Sequence, residues 1–521
     1  MTRLPSFVRF VSLALALLAG VVAAQSTTAL RVASTASVTT WDPSLSFSTE
    51  AVYLANIYEP LLWANPAGAE EPFRPALATS WEAAADGLSW TFHLREGVKF
   101  HDGATLNADA VVRSIERHMA IGGAAFIWAP VAAVVAVDDM TVRIDLEYPA
   151  PVDLIAASLY GAWIVSPAAL DAAAADEAYF EAGIGAGTGP YRLVEYTPDA
   201  EVVLGAFDDY WGGWDEPGHF QNVVVRIVSD QVLQEQMLLA GEVDMALSLP
   251  PTSYAAFAAD PNYDVHTVVT PFNYVGFLNT TRPPLDDIRV RQAISYAVPY
   301  DDIIAVGAEG LGTQSRGPVP QGIYPWSEEV PRYTQDLAKA RQLLAEAGHE
   351  GGGFTLRLTY AAENIIERAF APVMADALAD IGIKVEIEPL LFNQQWALAK
   401  ADPKEAQDIF LLLYWPTYSD AGSDNLWSMF HSSETPFFNL SYWKNPLFDD
   451  LVDEAIELTG TDRATAQALY VDAMTILVDE APALFFMDAG GWYAVPTYLE
   501  GFAYNINYPF ATFFYPIRLA D

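Results

Sequence analysis

The sequence predicts an α/β protein, and three stretches carry that prediction. Residues 354–360 alternate apolar and polar side chains, 364–380 place Ile366, Phe370, Val373, Met374 and Leu378 at helical spacing, and Ile383, Val385 and Ile387 alternate again. Strand, helix and strand with short joints form a βαβ crossover, so an α/β lobe lies in the second half. In the first half, strand-like and helix-like stretches also follow one another without an intervening linker.

Taken in order, Leu30-Arg31-Val32-Ala33 alternates as a strand and ends at the turn-forming Trp41-Asp42-Pro43. Trp90 to Leu94 alternates, turns at Arg95-Glu96-Gly97 and resumes as Val98-Lys99-Phe100, the pattern of a hairpin with a glycine turn. Asn107 is positioned as the N-cap of a helix over 108–119 with Val111, Val112, Ile115 and Met119 on one face. Thr334 is expected to open a helix carrying Leu337, Ala340, Leu343, Leu344 and Ala347, and Gly348 to close it.

Composition narrows the function. At roughly 150 residues per domain, 521 residues make about three domains or lobes. A chain of this length buries roughly three quarters of its unfolded surface and needs no staple to fold. With no Cys, disulfide scaffolds, thiolate metal sites and cysteine nucleophiles are excluded. A net charge of −41 argues against nucleic acid and anionic membrane as partners. Aromatic content of 13%, with 14 Trp, is that of a folded protein.

The amino terminus reads as an export signal. Arg3 and Arg9 precede an apolar run from Val11 to Val22, and Val22-Ala23-Ala24 supplies the small residues of a cleavage site. The run falls short of the about 20 apolar residues of a spanning helix. The mature chain is expected to begin near Gln25 and to work outside the cytoplasm, periplasmic or extracellular, with no lipid-anchor Cys at that site.

No catalytic motif survives scrutiny. The seven His are scattered without paired metal spacing. Gly183, Gly185, Gly187 and Gly189 resemble a phosphate loop, but no Lys-Ser/Thr follows and Pro190 interrupts helix initiation, so a tight turn is the better account. Ser441-Tyr-Trp-Lys444 and Ser423-Asp424-Asn425 match pieces of the penicillin-recognising serine enzymes in reversed order and without a Lys-Thr-Gly. More informative is the crowding of Tyr414, Trp415, Tyr418 and Trp427 with Asp420, Asp424 and Asn425, which combines stacking faces with orienting polar groups. The same mixture is also what a core strand ending in a capped turn would show.

Read together, the motifs form one pattern. Leu77-Ala-Thr-Ser-Trp81-Glu is followed by Asp86-Gly87-Leu-Ser-Trp-Thr-Phe92-His-Leu-Arg95-Glu-Gly97-Val-Lys-Phe100-His-Asp102-Gly103 and by Asn107-Ala-Asp109. Further along stand Gly187-Thr-Gly189-Pro190-Tyr191, Tyr210-Trp211-Gly212-Gly213, Leu239-Ala-Gly241-Glu242-Val-Asp244, Val290-Arg291-Gln292-Ala293 and Asn445-Pro446-Leu-Phe448-Asp449. This succession resembles the peptide/nickel class (oligopeptide/dipeptide-binding, family 5) of ABC-transporter solute-binding proteins, across essentially the whole mature chain.

The resemblance implies a two-lobed, periplasmic-binding-protein-like α/β fold of the large peptide-binding type, with discontinuous lobes and a hinge. By analogy, residues 1–24 are the signal, 25–270 form lobe one with an extra subdomain near 75–185, 271–487 form lobe two, and 488–521 return to lobe one. It further implies a monomer that captures an oligopeptide or dipeptide between its lobes and delivers it to an ABC permease, without catalysis or cofactor. In peptide-binding members a W-x-x-D aspartate meets the peptide amine; here Trp415 matches the tryptophan, Tyr418 occupies the acidic position, and Asp420 matches a later, mainly structural aspartate. The candidate ligand-binding set is Trp415, Tyr418, Asp420, Asn425, Tyr414, Tyr274 and Phe47. A buried ammonium without a counter-charge is costly. Either a peptide held by backbone contacts or an uncharged ligand such as an oligosaccharide therefore satisfies the segment. For nickel, His431 is the nearest candidate, and no metal site is assigned. The opposing class is a secreted hydrolase or acidic adhesion protein.

Overall fold

The computed structural model describes residues 29–66, 68–183, 186–418, 420–432 and 438–520. The export signal expected at 1–24 and the start near Gln25 lie outside the described residues, as does Gly185.

The fold is α/β in two lobes. The first is built on a five-stranded sheet in the order Met245–Ala246, Ala29–Ser34, Asn222–Ile227, Glu201–Ala206, Tyr191–Thr197. Its first three strands are parallel and the rest antiparallel. Leu30 and Val32 of the expected first strand are fully buried, while the intervening Arg31 pairs with Asp244 at 2.7 Å, the alternation of a sheet with one buried face.

Beside it stands a four-stranded antiparallel sheet, Ala78–Ala83, Ser89–Leu94, Thr141–Leu146 and Val131–Asp138. Here the expected hairpin is corrected. Ser89–Leu94 is flanked by Ala78–Ala83 on one edge and by Thr141–Leu146 on the other, so Val98-Lys99-Phe100 has no free edge to join. That segment closes on itself instead: the Phe100 amide donates to Ala104 O at 2.8 Å and the Leu106 amide to Val98 O at 2.9 Å. The local turn that forms a hairpin is the one before Ser89–Leu94, where the Gly87 amide donates to Ala84 O at 2.9 Å, and the strand's other edge goes to the remote Thr141–Leu146.

Asn107 does cap a helix, Ala108–Ile121, its Oδ1 accepting from the Ala110 amide at 3.0 Å. The buried face runs through Val111, Ile115 and His118, and Met119, expected on it, is exposed. His118 is tolerated inside because its Nε2 meets Trp163 O at 2.7 Å and burial holds it neutral, its pKa lowered to about 4.

The second lobe has a six-stranded sheet in the order Gly312–Thr313, Ala483–Pro496, Tyr263–Leu278, Ile409–Tyr414, Thr355–Ala361, Lys384–Leu390. The expected crossover is present: Thr355–Ala361 and Lys384–Leu390 are parallel, joined through helix Ile365–Ala379. Asn364 caps that helix, and Phe370, Met374 and Leu378 are fully buried. The helix expected from Thr334 begins later, as Leu337–Glu346, because Asp336 supplies the cap: its Oδ1 accepts from the Lys339 amide at 2.9 Å. Helices Pro446–Thr459 and Arg463–Glu480 pack on each other across the sheet's other side.

The carboxyl end is stitched into the first lobe. Val495, Leu499, Tyr508, Phe514 and Ile517 share the apolar core of Leu30, Trp63 and Tyr191. Asn56 donates to Thr512 O at 2.8 Å, and the Ala64 amide donates to the Tyr508 hydroxyl at 2.7 Å. Tyr263–Leu278 and Ala483–Pro496 are long antiparallel partners, and they join the lobes. One end packs Trp492 and Ala494 with Met237 and Leu238; the other carries Tyr274, Leu278, Phe486 and Met487 into the second lobe's core. Their register shifts between Val269 and Asn273 and again between Tyr274 and Val275.

Candidate binding cavity between the lobes

A cavity of about 820 Å³ lies where the lobes face each other. Three parallel strands, Thr355–Ala361, Lys384–Leu390 and Ile409–Tyr414, end toward it, and helices Ile365–Ala379 and Phe392–Lys400 begin there. That is where open α/β sheets place ligands, because side chains leaving strand ends and helix starts can converge there without breaking the ladder.

The walls come from both lobes. Phe47, Phe126 and Tyr160 form the first-lobe wall, with Phe47 5.1 Å from Tyr160 and 6.0 Å from Phe126 between ring centroids. Opposite them stand Tyr274, Ile365, Phe392, Trp396, Tyr414 and Trp415. Phe47, Phe126, Ile365, Phe392 and Trp415 are each more than a third exposed, large apolar side chains left uncovered at one concave place. Such an apolar concavity, facing in from two sides, is the form of a ligand site. Trp415 is fixed by edge contacts to Phe510 at 5.6 Å and Phe272 at 6.1 Å, so its exposed face is held in place.

Two buried carboxyls reach the same wall. Glu367, in the first turn of its helix, accepts from the Ala361 amide at 3.0 Å and from Asn364 Nδ2 at 2.9 Å; burial pushes it up to about 7. Asp424 accepts from the Tyr414 hydroxyl at 3.2 Å and from the Thr417 amide, and burial raises it to about 6, with Asp420 adding to the rise.

The structure brings together four of the seven candidates: Phe47, Tyr274, Tyr414 and Trp415 line the cavity. The other three stand outside the lining. Tyr418 packs against the first lobe's core and bonds the Ser423 hydroxyl, which itself donates to Asp420 at 2.7 Å. Asp420 is fully buried and also accepts from the Gly422 amide at 2.9 Å and the Ser423 amide at 3.3 Å, organising the turn. Asn425 is buried and donates to Pro318 O at 2.6 Å. His431 stacks on Trp427 and lies 3.3 Å from Asp453. Among the described residues no group of three His, Asp or Glu could hold a metal ion.

Sequence reasoning missed Phe126, Tyr160, Ile365, Phe392 and Trp396. Ile365 and Phe392 carried one signal, an apolar side chain in the first turn of a helix on the face away from its core. Phe126 and Tyr160 carried none, since only the packing of the lobes carries them to the wall.

Residues 72–437 match the model of the family described as bacterial extracellular solute-binding proteins, family 5 Middle. Heme-binding protein A of Haemophilus influenzae is 30% identical over 444 residues, which are 78% of this chain and 77% of that protein. The dipeptide-binding protein of Escherichia coli is 30% identical over 440 residues, 79% of this chain and 80% of that one. The structure of HbpA2 from Haemophilus parasuis aligns with a TM-score of 0.83 at 25% identity, over 95% of this chain and 100% of that one.

Proposed function

The chain belongs to the family 5 bacterial extracellular solute-binding proteins, and from that premise we propose that it captures a short peptide between its lobes and delivers it to an ABC importer. The observation that carries the reading is the cavity walled by aromatic side chains of both lobes, since closure on a ligand buries apolar surface that stays wet without one. Peptides with apolar side chains suit it because those side chains match the aromatic walls. A relative named for dipeptides supports the same choice. An oligosaccharide fits less well: it presents a hydroxyl on most carbons, and each unpaired one costs free energy in a largely apolar cavity.

Residues 25–270 with 488–521 form one lobe in this reading, 271–487 the other, and the paired strands Tyr263–Leu278 and Ala483–Pro496 flex between them. The protein binds without turnover, as a monomer exported to the periplasm. No helix among the described residues is long and apolar enough to cross a membrane. Calorimetric titration with di-, tri- and tetrapeptides, paired with small-angle scattering, tests the proposal. Saturable binding with a smaller radius of gyration is expected. A folded protein that binds no peptide of any length overturns it.

A further inference from the structure

We infer that this cavity selects by charge: it accepts an apolar peptide that is neutral or cationic inside the cavity and rejects one that brings a carboxylate into it. The inference rests on the cavity being the peptide site and names the chemistry it takes.

No Lys, Arg or His is among the described residues of the lining, so a ligand carboxylate finds no counter-charge there. The lining instead holds the carboxyls of Glu363, Glu367 and Asp424. Of these, Asp424 comes from the loop beyond Tyr414 and is buried beside Asp420, so an ammonium placed against it would relieve two negative groups at once. A carboxylate placed there would add a third.

Helix starts are the usual alternative source of positive potential. Here the chain's own groups meet both of them. Asn364 Oδ1 accepts from the Ile366 and Glu367 amides, and Glu363 Oε1 accepts from the Phe392 amide at 3.0 Å. Lys400 is a cation near this wall. Its Nζ stands 5.2 Å from the Trp396 ring centroid and 6.0 Å from that of Phe438, against two rings that face the cavity rather than in the lining. The net charge of −41 acts in the same direction at long range.

Four forms of one dipeptide separate the outcomes, with calorimetry on the full protein at neutral pH. They are Leu-Leu-amide (cationic), N-acetyl-Leu-Leu-amide (neutral), Leu-Leu (zwitterionic) and N-acetyl-Leu-Leu (anionic). The cationic amide is expected to bind about tenfold or more tighter than the zwitterion, with the neutral form between them and the anion weakest. Asp424→Asn should bring the cationic and neutral forms to near parity. Leu-Leu or N-acetyl-Leu-Leu binding as tightly as the amide overturns the charge selection and leaves the peptide reading standing. No binding by any of the four, in protein that melts normally, overturns the charge-selective capture of an apolar dipeptide; the peptide reading itself falls only if the di-, tri- and tetrapeptide titration also finds no binding. Should Asp424→Asn fail to fold, the ranking on the unmodified protein still decides.

Discussion

Arg463 of the second lobe donates through one guanidinium nitrogen to both carboxylate oxygens of Asp153 in the first, at 3.0 Å each, across 310 residues of sequence. The pair lies where helices Pro446–Thr459 and Arg463–Glu480 turn against the first lobe. There the backbones come so close that a Cβ on Gly460 would stand 2.7 Å from Ala150 O. Asp153 is buried and Arg463 about a third exposed, so the contact joins the lobes outside the lining of the cavity.

Breaking that pair should loosen the contact. Arg463→Met strands a buried carboxylate and is expected to cost about 1–3 kcal/mol, discounted for the exposure of the arginine. Asp153→Asn in the same chain should recover most of it. A double-mutant cycle in thermal unfolding measures the coupling, and scattering of the ligand-free variant should show a larger radius. A coupling energy near zero would remove the pair as a lobe-to-lobe tie.

Trp415→Ala should weaken peptide binding by about 1–3 kcal/mol, the range for losing a well-placed aromatic, with little change in melting temperature. Tyr418→Asp should do the reverse. Its hydroxyl serves the Ser423–Asp420 network rather than the cavity, so a carboxylate there faces buried Asp420 and should lower stability by about 2 kcal/mol or more. Altered affinity at an unchanged melting temperature for Tyr418→Asp would place this side chain in the site after all.

The pH dependence of stability follows from Glu59. It is fully enclosed, accepting from Thr188 and Trp211 at 2.8 Å and from Tyr210 at 3.2 Å, and burial raises it from 4.5 to about 7. Between those values the native state holds a proton that the unfolded chain has released, so this residue's contribution falls as pH rises from about 4.5 to 7. His101 and His118, both lowered by burial from 6.5 to about 4, act in the opposite direction between those values. Glu59→Gln isolates the carboxyl: relative to wild type, the variant should gain on the order of 3 kcal/mol across pH 4.5–7. A difference in melting temperature that stays constant with pH would show that Glu59 titrates normally.

Asp488 offers a test of the strands that join the lobes. It accepts from Asn273 at 2.7 Å, Ser315 at 2.9 Å and the Gln321 amide at 2.9 Å, next to the register shift between Val269 and Asn273. Asn273→Ala removes one of three donors from a buried carboxyl and should destabilise by about 1–3 kcal/mol. Hydrogen exchange should rise first in Tyr263–Leu278 and Ala483–Pro496. Exchange that rises uniformly across the chain would count against a local hinge.

What could be read before folding was what neighbours along the chain decide. Asn107 caps its helix because a side-chain oxygen a few bonds away satisfies an amide of the first turn. The crossover from Thr355–Ala361 to Lys384–Leu390 was legible because strand and helix periods alternate within one short stretch. The glycines of Gly187-Thr-Gly189 stood out as a turn; packing supplied their reason, since a Cβ on Gly187 would come 2.0 Å from Ile57 O while Thr188 reaches Glu59.

The sequence by itself determined the α/β class, the helix capped by Asn107 and, through its ordered motifs, the family. Each of these rests on interactions a few residues long or on residue identity alone. Only the tertiary structure decided which edges Ser89–Leu94 would share, because Ala78–Ala83 and Thr141–Leu146 satisfy both of its ladders and leave Val98-Lys99-Phe100 to close on itself. The cavity was decided the same way. Tyr414 and Trp415 face it while Tyr418, Asp420 and Asn425, a few residues on, turn into hydrogen bonds of their own. The opposite wall of Phe47, Phe126 and Tyr160 exists only because the other lobe packs there. A side chain's direction after a strand end depends on which distant groups satisfy its polar atoms and cover its apolar ones, and those partners are chosen by the fold as a whole.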